Sequence, residues 1–172
     1  MKKITLVLVV LLFTSCGVTQ NSVVDSINKN PAYSNVIMAM PYRKFETKNY
    51  INNLKEGLEK VFLANNKKIE IITFEKEPEG LKLNQTTAIE QLINSKIQEN
   101  SKDLLLVLKP TKLVFTNGGL QDFQYEIVGI DTDTQKEVWK GEFRVRGQFG
   151  PSTYLKKSVE AIYAELIAKG ML

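Results

Sequence analysis

Cys16 is the only thiol in this chain, and among 172 residues there is no histidine to activate it. Together these facts exclude Ser-His-Asp and Cys-His catalysis, imidazole metal ligation, an internal disulfide and a thiolate zinc site. Asp131 and Asp133 are spaced like two oxygen ligands of a calcium loop. The glycine and distal bidentate Glu of an EF-hand are missing, and Asp131-Thr132-Asp133-Thr134 has the composition of an ordinary hairpin turn. Glu75, Glu77 and Glu79 could do acid-base work only if something raised a carboxyl pKa; among Lys76, Pro78 and Gly80 they read as a solvated loop. Phe123, Tyr125, Trp139 and Phe143 carry faces suited to stacking on a sugar or peptide, yet their alternate spacing assigns them to one face of a sheet, as core. Ser152, after Pro151, lacks a nucleophile-elbow pattern and reads as a helix cap. The glycines at 118, 119, 147 and 150 form neither a P-loop nor a dinucleotide fingerprint. The expectation is a non-enzyme without metal or cofactor.

The setting of Cys16 is more specific. Lys2 and Lys3 precede an apolar run from Ile4 to Phe13, broken only by Thr5. Ten helical residues cover roughly 15 Å, half the hydrocarbon thickness of a bilayer, so the run reads as a signal-peptide core and not as a membrane span. Phe13-Thr14-Ser15-Cys16-Gly17 resembles the lipobox of bacterial lipoproteins, with Phe where Leu is usual, a looseness found in the Bacteroidota. The resemblance implies a signal peptide over 1–15, acylation of Cys16 and a membrane held through lipid chains. Gly17 differs from the Asp of inner-membrane retention and no acidic export run follows, which implies the periplasmic face of the outer membrane. Loss of Lys2 and Lys3 lowers the formal charge from +4 to +2, so the basicity is partly a targeting signal and nucleic acid is not an expected partner. Residues 16–33 then read as the lipidated Cys and an Asn-rich flexible tether with a mean reach of about 20 to 25 Å. Within it Asp25-Ser26-Ile27 matches the short acceptor pattern for O-glycosylation in Bacteroidota lipoproteins, on Ser26.

From residue 34 to 172 the chain reads as a single α/β domain. An apolar fraction of 43% and a charged fraction of 24% are ordinary for a globular protein. Strands are expected at 36–40, 69–74, 104–108 with a continuation through Leu113 to Phe115, 123–130 and 138–146. Thr47 can cap a helix through Tyr50, Ile51, Leu54, Leu58, Val61 and Phe62; Thr87 and Glu90 have capping-box spacing for a second; a third runs from near Ser152 to Gly170. The element order β-α-β-α-β-β-β-α, with right-handed crossovers, predicts a three-layer α/β/α fold around a mixed five-stranded sheet of order 2-1-3-4-5, anticodon-binding-domain-like. Phe123, Tyr125, Ile127, Trp139, Phe143 and Val145 face the last helix, and Gln124, Glu126, Lys140, Glu142 and Arg144 face water.

The strand at 103–110 (DLLLVLKP) and the segment YEIVGIDTDTQKEVWKGEF at 125–143 resemble the TolB amino-terminal domain and the lipoprotein activators of penicillin-binding proteins. Gln135-Lys136 departs from the Thr-Gly of many relatives. The resemblance implies a fold and action through protein contacts in the cell envelope; no catalytic residue transfers.

In the predicted sheet a crevice opens where strands 1 and 3 end. Tyr42, Arg43 and Lys44 would there face Lys109, Thr111 and Lys112, a cationic site for an anionic group such as a peptidoglycan carboxylate or a lipid phosphate. Two functions are thus expected in order: a non-catalytic binding or scaffolding module of an envelope complex, and a small-ligand or glycan binder at that crevice.

Overall fold

A computed structural model describes residues 17–24, 32–76, 85–117, 119–147 and 150–172. Six strands form one mixed sheet: β1 (Gly17–Val24), β2 (Asn35–Tyr42), β3 (Lys68–Glu75), β4 (Leu104–Thr116), β5 (Gly119–Asp131) and β6 (Glu137–Arg146). Their order is β1-β6-β5-β4-β2-β3. β2 pairs in parallel with β3 and β4, and every other pairing is antiparallel. The helices are α1 (Lys48–Ala64), α2 (Gln85–Glu99) and α3 (Leu155–Ala168), the last entered through a 3-10 turn, Pro151–Tyr154.

The expected five-stranded sheet is corrected to six. The added strand is Gly17–Val24, inside the segment read as a flexible tether, and it pairs along its whole length with β6, Gly17 opposite Arg146 and Val24 opposite Trp139. Its composition is mixed: Gly17 and Asn21 disfavour a strand, while Val18, Thr19, Val23 and Val24 favour one. The physical cause lies in its neighbour. β6 sends Trp139, Phe143 and Val145 into the core and would otherwise leave a long row of unpaired amides and carbonyls at the sheet's edge. Val18 packs against the core from β1, and Gln20 Nε2 donates to Glu165 of α3 at 3.2 Å.

The core lies between one face of the sheet and the α1–α3 pair. Val36, Met38 and Met40 of β2, Leu104, Leu106 and Leu108 of β4, and the six residues assigned to the inner face of β5 and β6 are all buried there. They meet Tyr50, Ile51, Leu54, Leu58 and Phe62 of α1 and Val159, Ile162 and Leu166 of α3. Aromatic rings chain through this layer: Phe123 and Tyr125 have centroids 4.9 Å apart, Tyr125 stacks on Phe143 at 5.6 Å, and Phe123 meets Tyr50 edge-on at 5.3 Å. Because β3 and β4 flank β2 on opposite sides, right-handed crossovers send α2 to the other face. There Ile37 and Ala39 are buried. Pro110 fits in β4 because β2 pairs only as far as Val107, leaving that edge free of ladder bonds; a bulge follows between Pro110 and Lys112.

The helix starts also need correction. Thr47 precedes α1, but its Oγ1 accepts from Arg43 N at 2.9 Å and caps nothing. Thr87 lies inside α2, which already runs from Gln85, and Ser152 lies within the 3-10 turn, whose backbone carbonyl at Ser152 receives Leu155 N.

Candidate functional site

The end of the sheet where β2 and β4 finish holds the predicted crevice. The loop after β2 folds back on itself: Arg43 O accepts from the amides of Glu46, Thr47 and Lys48 at 3.1, 3.0 and 3.2 Å, and Lys76 N donates to Tyr42 O at 2.8 Å. The cavity left there, about 30 Å³, is lined by Pro41, Tyr42, Arg43, Thr47, Lys76, Pro110 and Leu113. That is room for roughly two waters, not for a sugar or a peptide. Of the residues expected to converge, Tyr42 and Arg43 line it; Lys44, Lys109, Thr111 and Lys112 do not. Arg43 Nη1 pairs with Glu46 Oε2 at 3.0 Å, Lys44 Nζ lies 5.6 Å from the Phe45 ring, and Lys109 sits opposite Glu126 in the β4–β5 ladder. Of the cations at this end, Arg43 and Lys76 line the cavity, and Lys44, Lys109 and Lys112 do not.

A larger groove, about 300 Å³, crosses the outer face of β1, β6, β5 and β4. Thr19, Gln20, Asn21, Thr111, Gln124, Glu126, Glu142 and Arg144 line it, with the backbones of Tyr125 and Phe143, whose rings lie in the core. Glu126 and Glu142 are directly opposite in the ladder, a like-charge pair that would repel. Lys140 Nζ relieves it, 2.9 Å from Glu126 Oε1 and 4.0 Å from Glu142 Oε1. Next along, Asp122, 5% exposed, holds the Arg144 guanidinium through both carboxylate oxygens, each 3.1 Å from Nε. This surface can present alternating acids, bases and amides to a polar partner. Sequence alternation had marked Gln124, Glu126, Lys140, Glu142 and Arg144 as outward-facing; the wall from β1 carried no such signal.

The remaining candidates fall into structural roles. Asp131 accepts from Tyr33 Oη at 2.8 Å and from Thr134 N and Oγ1 at 2.7 and 2.8 Å, so its oxygens organise the turn. Burial alone would raise its pKa; the hydrogen bonds from Thr134 and Tyr33 outweigh that and hold it below the usual carboxylate range. Among the described residues no three His, Cys, Asp or Glu side chains gather as a metal site would need. Trp139, 1% exposed, and Phe143, 2% exposed, are closed off from any sugar. Among the described residues no hydrogen-bond partner of normal geometry reaches the buried Tyr50 and Tyr125 hydroxyls or Trp139 Nε1, and burial raises both phenols. Cys16, Ser26, Glu77 and Glu79 lie outside the described residues.

No protein-family model matches the chain and no curated protein sequence matches it, so neither comparison attaches it to the TolB amino-terminal domain. Solved structures are similar to it, two of them at a TM-score above 0.5. A PelC dodecamer from Paraburkholderia phytofirmans matches with a TM-score of 0.53 at 11% identity, over 87% of this chain and 97% of that one. A second PelC dodecamer from that organism gives 0.51 at 11%, over 90% and 97%. Lipoprotein GNA1162 from Neisseria meningitidis gives 0.42 at 12%, over 78% and 99%. At these identities the PelC likeness defines a fold class: a mixed α/β sheet with a helix pair on one face.

Proposed function

We propose that this chain is an acylated lipoprotein, anchored through Cys16 at the periplasmic face of the outer membrane, and that it is a non-catalytic scaffolding module of a cell-envelope complex. The observation that carries the reading is the start of β1 at Gly17, one residue after the lipobox-like cysteine. Acylation there would tether a folded domain with no intervening linker. Among the described residues no helix is long and apolar enough to cross a membrane, so attachment through lipid is consistent with the chain's own hydropathy.

A scaffolding role draws support from two further features. The cavity at the predicted crevice is too small for a glycan, whereas the polar face of β1, β6 and β5 offers an extended contact surface. PelC, which has a similar fold, is a dodecamer, and contacts among copies are a natural form for such a scaffold. Cys16→Ser should move the protein from the membrane to the soluble fraction, and crosslinking in living cells followed by mass spectrometry should return a dominant protein partner, another copy included. Persistence of the variant in membranes would contradict the anchor. Absence of any protein crosslink, with a small ligand carried through purification, would contradict the scaffold.

A further inference from the structure

The register of the sheet aligns features that are far apart in sequence. Gly17 pairs with Arg146, Arg146 with Asp122, and Asp122 with Val114. These four residues form one row across β1, β6, β5 and β4. With strands about 4.8 Å apart, Gly17 and Val114 are separated sideways by about 14 Å and are level along the strand direction. Cys16 is one peptide unit, about 3.8 Å between Cα atoms, from Gly17. Beyond the row the tip of the β4–β5 hairpin continues for two to three residues at about 3.3 Å each, or about 7 to 10 Å, and the connection from β6 toward α3 starts beside it, with Gly147 N donating to Gln121 O.

The strand leading into that tip is apolar where it is exposed, just before the polar Thr116 and Asn117. Val114 is 37% and Phe115 39% exposed, and Phe45, 94% exposed, stands on the loop after β2 at the same end of the sheet. The other large exposed apolar residues among those described, Leu63, Leu92 and Ile167, are scattered along three helices, Leu63 and Ile167 at the opposite end. Exposed cations accompany these apolar residues: Lys112 two residues before Val114, Arg146 in the same row, and Lys44 beside Phe45.

We propose that this end of the sheet, centred on Val114 and Phe115, is a membrane-docking surface that seats the hairpin tip among anionic phospholipid headgroups; it rests on the anchored reading of Cys16. The reach of the tip past the anchor row matches the depth of about 5 to 10 Å to which interfacial elements bury apolar side chains. The neighbouring cations supply the attraction that anionic headgroups return. The domain would then stand on the bilayer by its hairpin and its first residue, with the polar groove facing sideways, instead of floating on a leash.

The test uses the full acylated chain reconstituted into vesicles of phosphatidylglycerol and phosphatidylcholine with brominated acyl chains. Phe115→Trp should show a blue-shifted emission that the bromine atoms quench, while Leu63→Trp, at the opposite end, should show neither; Trp139, buried in both, gives a constant background. Replacing phosphatidylglycerol by phosphatidylcholine, or adding Lys112→Glu, should reduce the quenching. Equal response at both positions, or none at Phe115→Trp in protein that floats with the vesicles, overturns the docking surface and leaves the anchor standing. Failure to float, with Cys16 found unmodified by mass spectrometry, overturns both.

Discussion

Both oxygens of the Asp131 carboxylate are engaged inside the fold, Oδ2 by Tyr33 and Oδ1 by Thr134. Its pKa is lowered, so its contribution to stability is complete at neutral pH and is lost as pH falls through the folded value, which lies below the unfolded one of about 3.9. Asp131→Asn should cost about 1.5 to 3 kcal/mol at pH 7, a deficit that narrows below about pH 4 as the wild-type carboxylate takes up its proton. Urea unfolding midpoints followed from pH 7 into the acid range would show this; a gap that stays constant throughout would mean the charge is not what matters. The turn composition was readable in the sequence. The partner Tyr33 was not, because it approaches from residues nearly a hundred positions away.

At the scale of elements, α1 and α3 pack closely at one glycine. A Cβ added to Gly57 would come 2.5 Å from Val159 Cγ2, and a β-branched side chain on a helix has little freedom to withdraw. Gly57→Ala should therefore destabilise by about 1 to 3 kcal/mol from overpacking, although helix propensity alone would favour it by about 1 kcal/mol. Val159→Ala in the same chain should recover much of the loss, a coupling that a double-mutant cycle in urea measures directly; simple additivity would show that the two helices do not meet there. The helical periodicity of both segments was plain from Leu54, Leu58 and Phe62 and from Val159, Ile162 and Leu166. Which helix faced which, and that Thr47 would turn its hydroxyl back to Arg43 N, depended on the loops closing around them.

For the whole molecule, β1 decides how the domain ends. Deleting residues 17–24 while retaining Cys16 should bare the β6 edge beside Trp139, lower the unfolding midpoint and promote self-association, because an exposed strand that is apolar on one face templates further pairing. Light scattering after size exclusion would report it. A monodisperse protein of unchanged stability would make β1 an ornament of the sheet and remove the geometric link between the anchor and the hairpin tip. The same strand corrects the tether reading over 17–24: composition describes what a segment prefers in isolation, and an unsatisfied edge can recruit a segment of mixed preference.

The sequence by itself determined the lipobox-like setting of Cys16, the alternation that sorts β5 and β6 into a core face and a wet face, and the chemistry that a chain without histidine cannot perform. These depend on residue type and on spacings of a few residues, which the local backbone imposes. The tertiary structure decided the sixth strand, the failure of Lys44, Lys109, Thr111 and Lys112 to line the small cavity with Tyr42 and Arg43, and the row that joins Gly17 to Val114. Each of these depends on which strand edge remains unpaired and on the register of distant ladders. Those are fixed only when all the elements compete for the same hydrogen bonds and the same core.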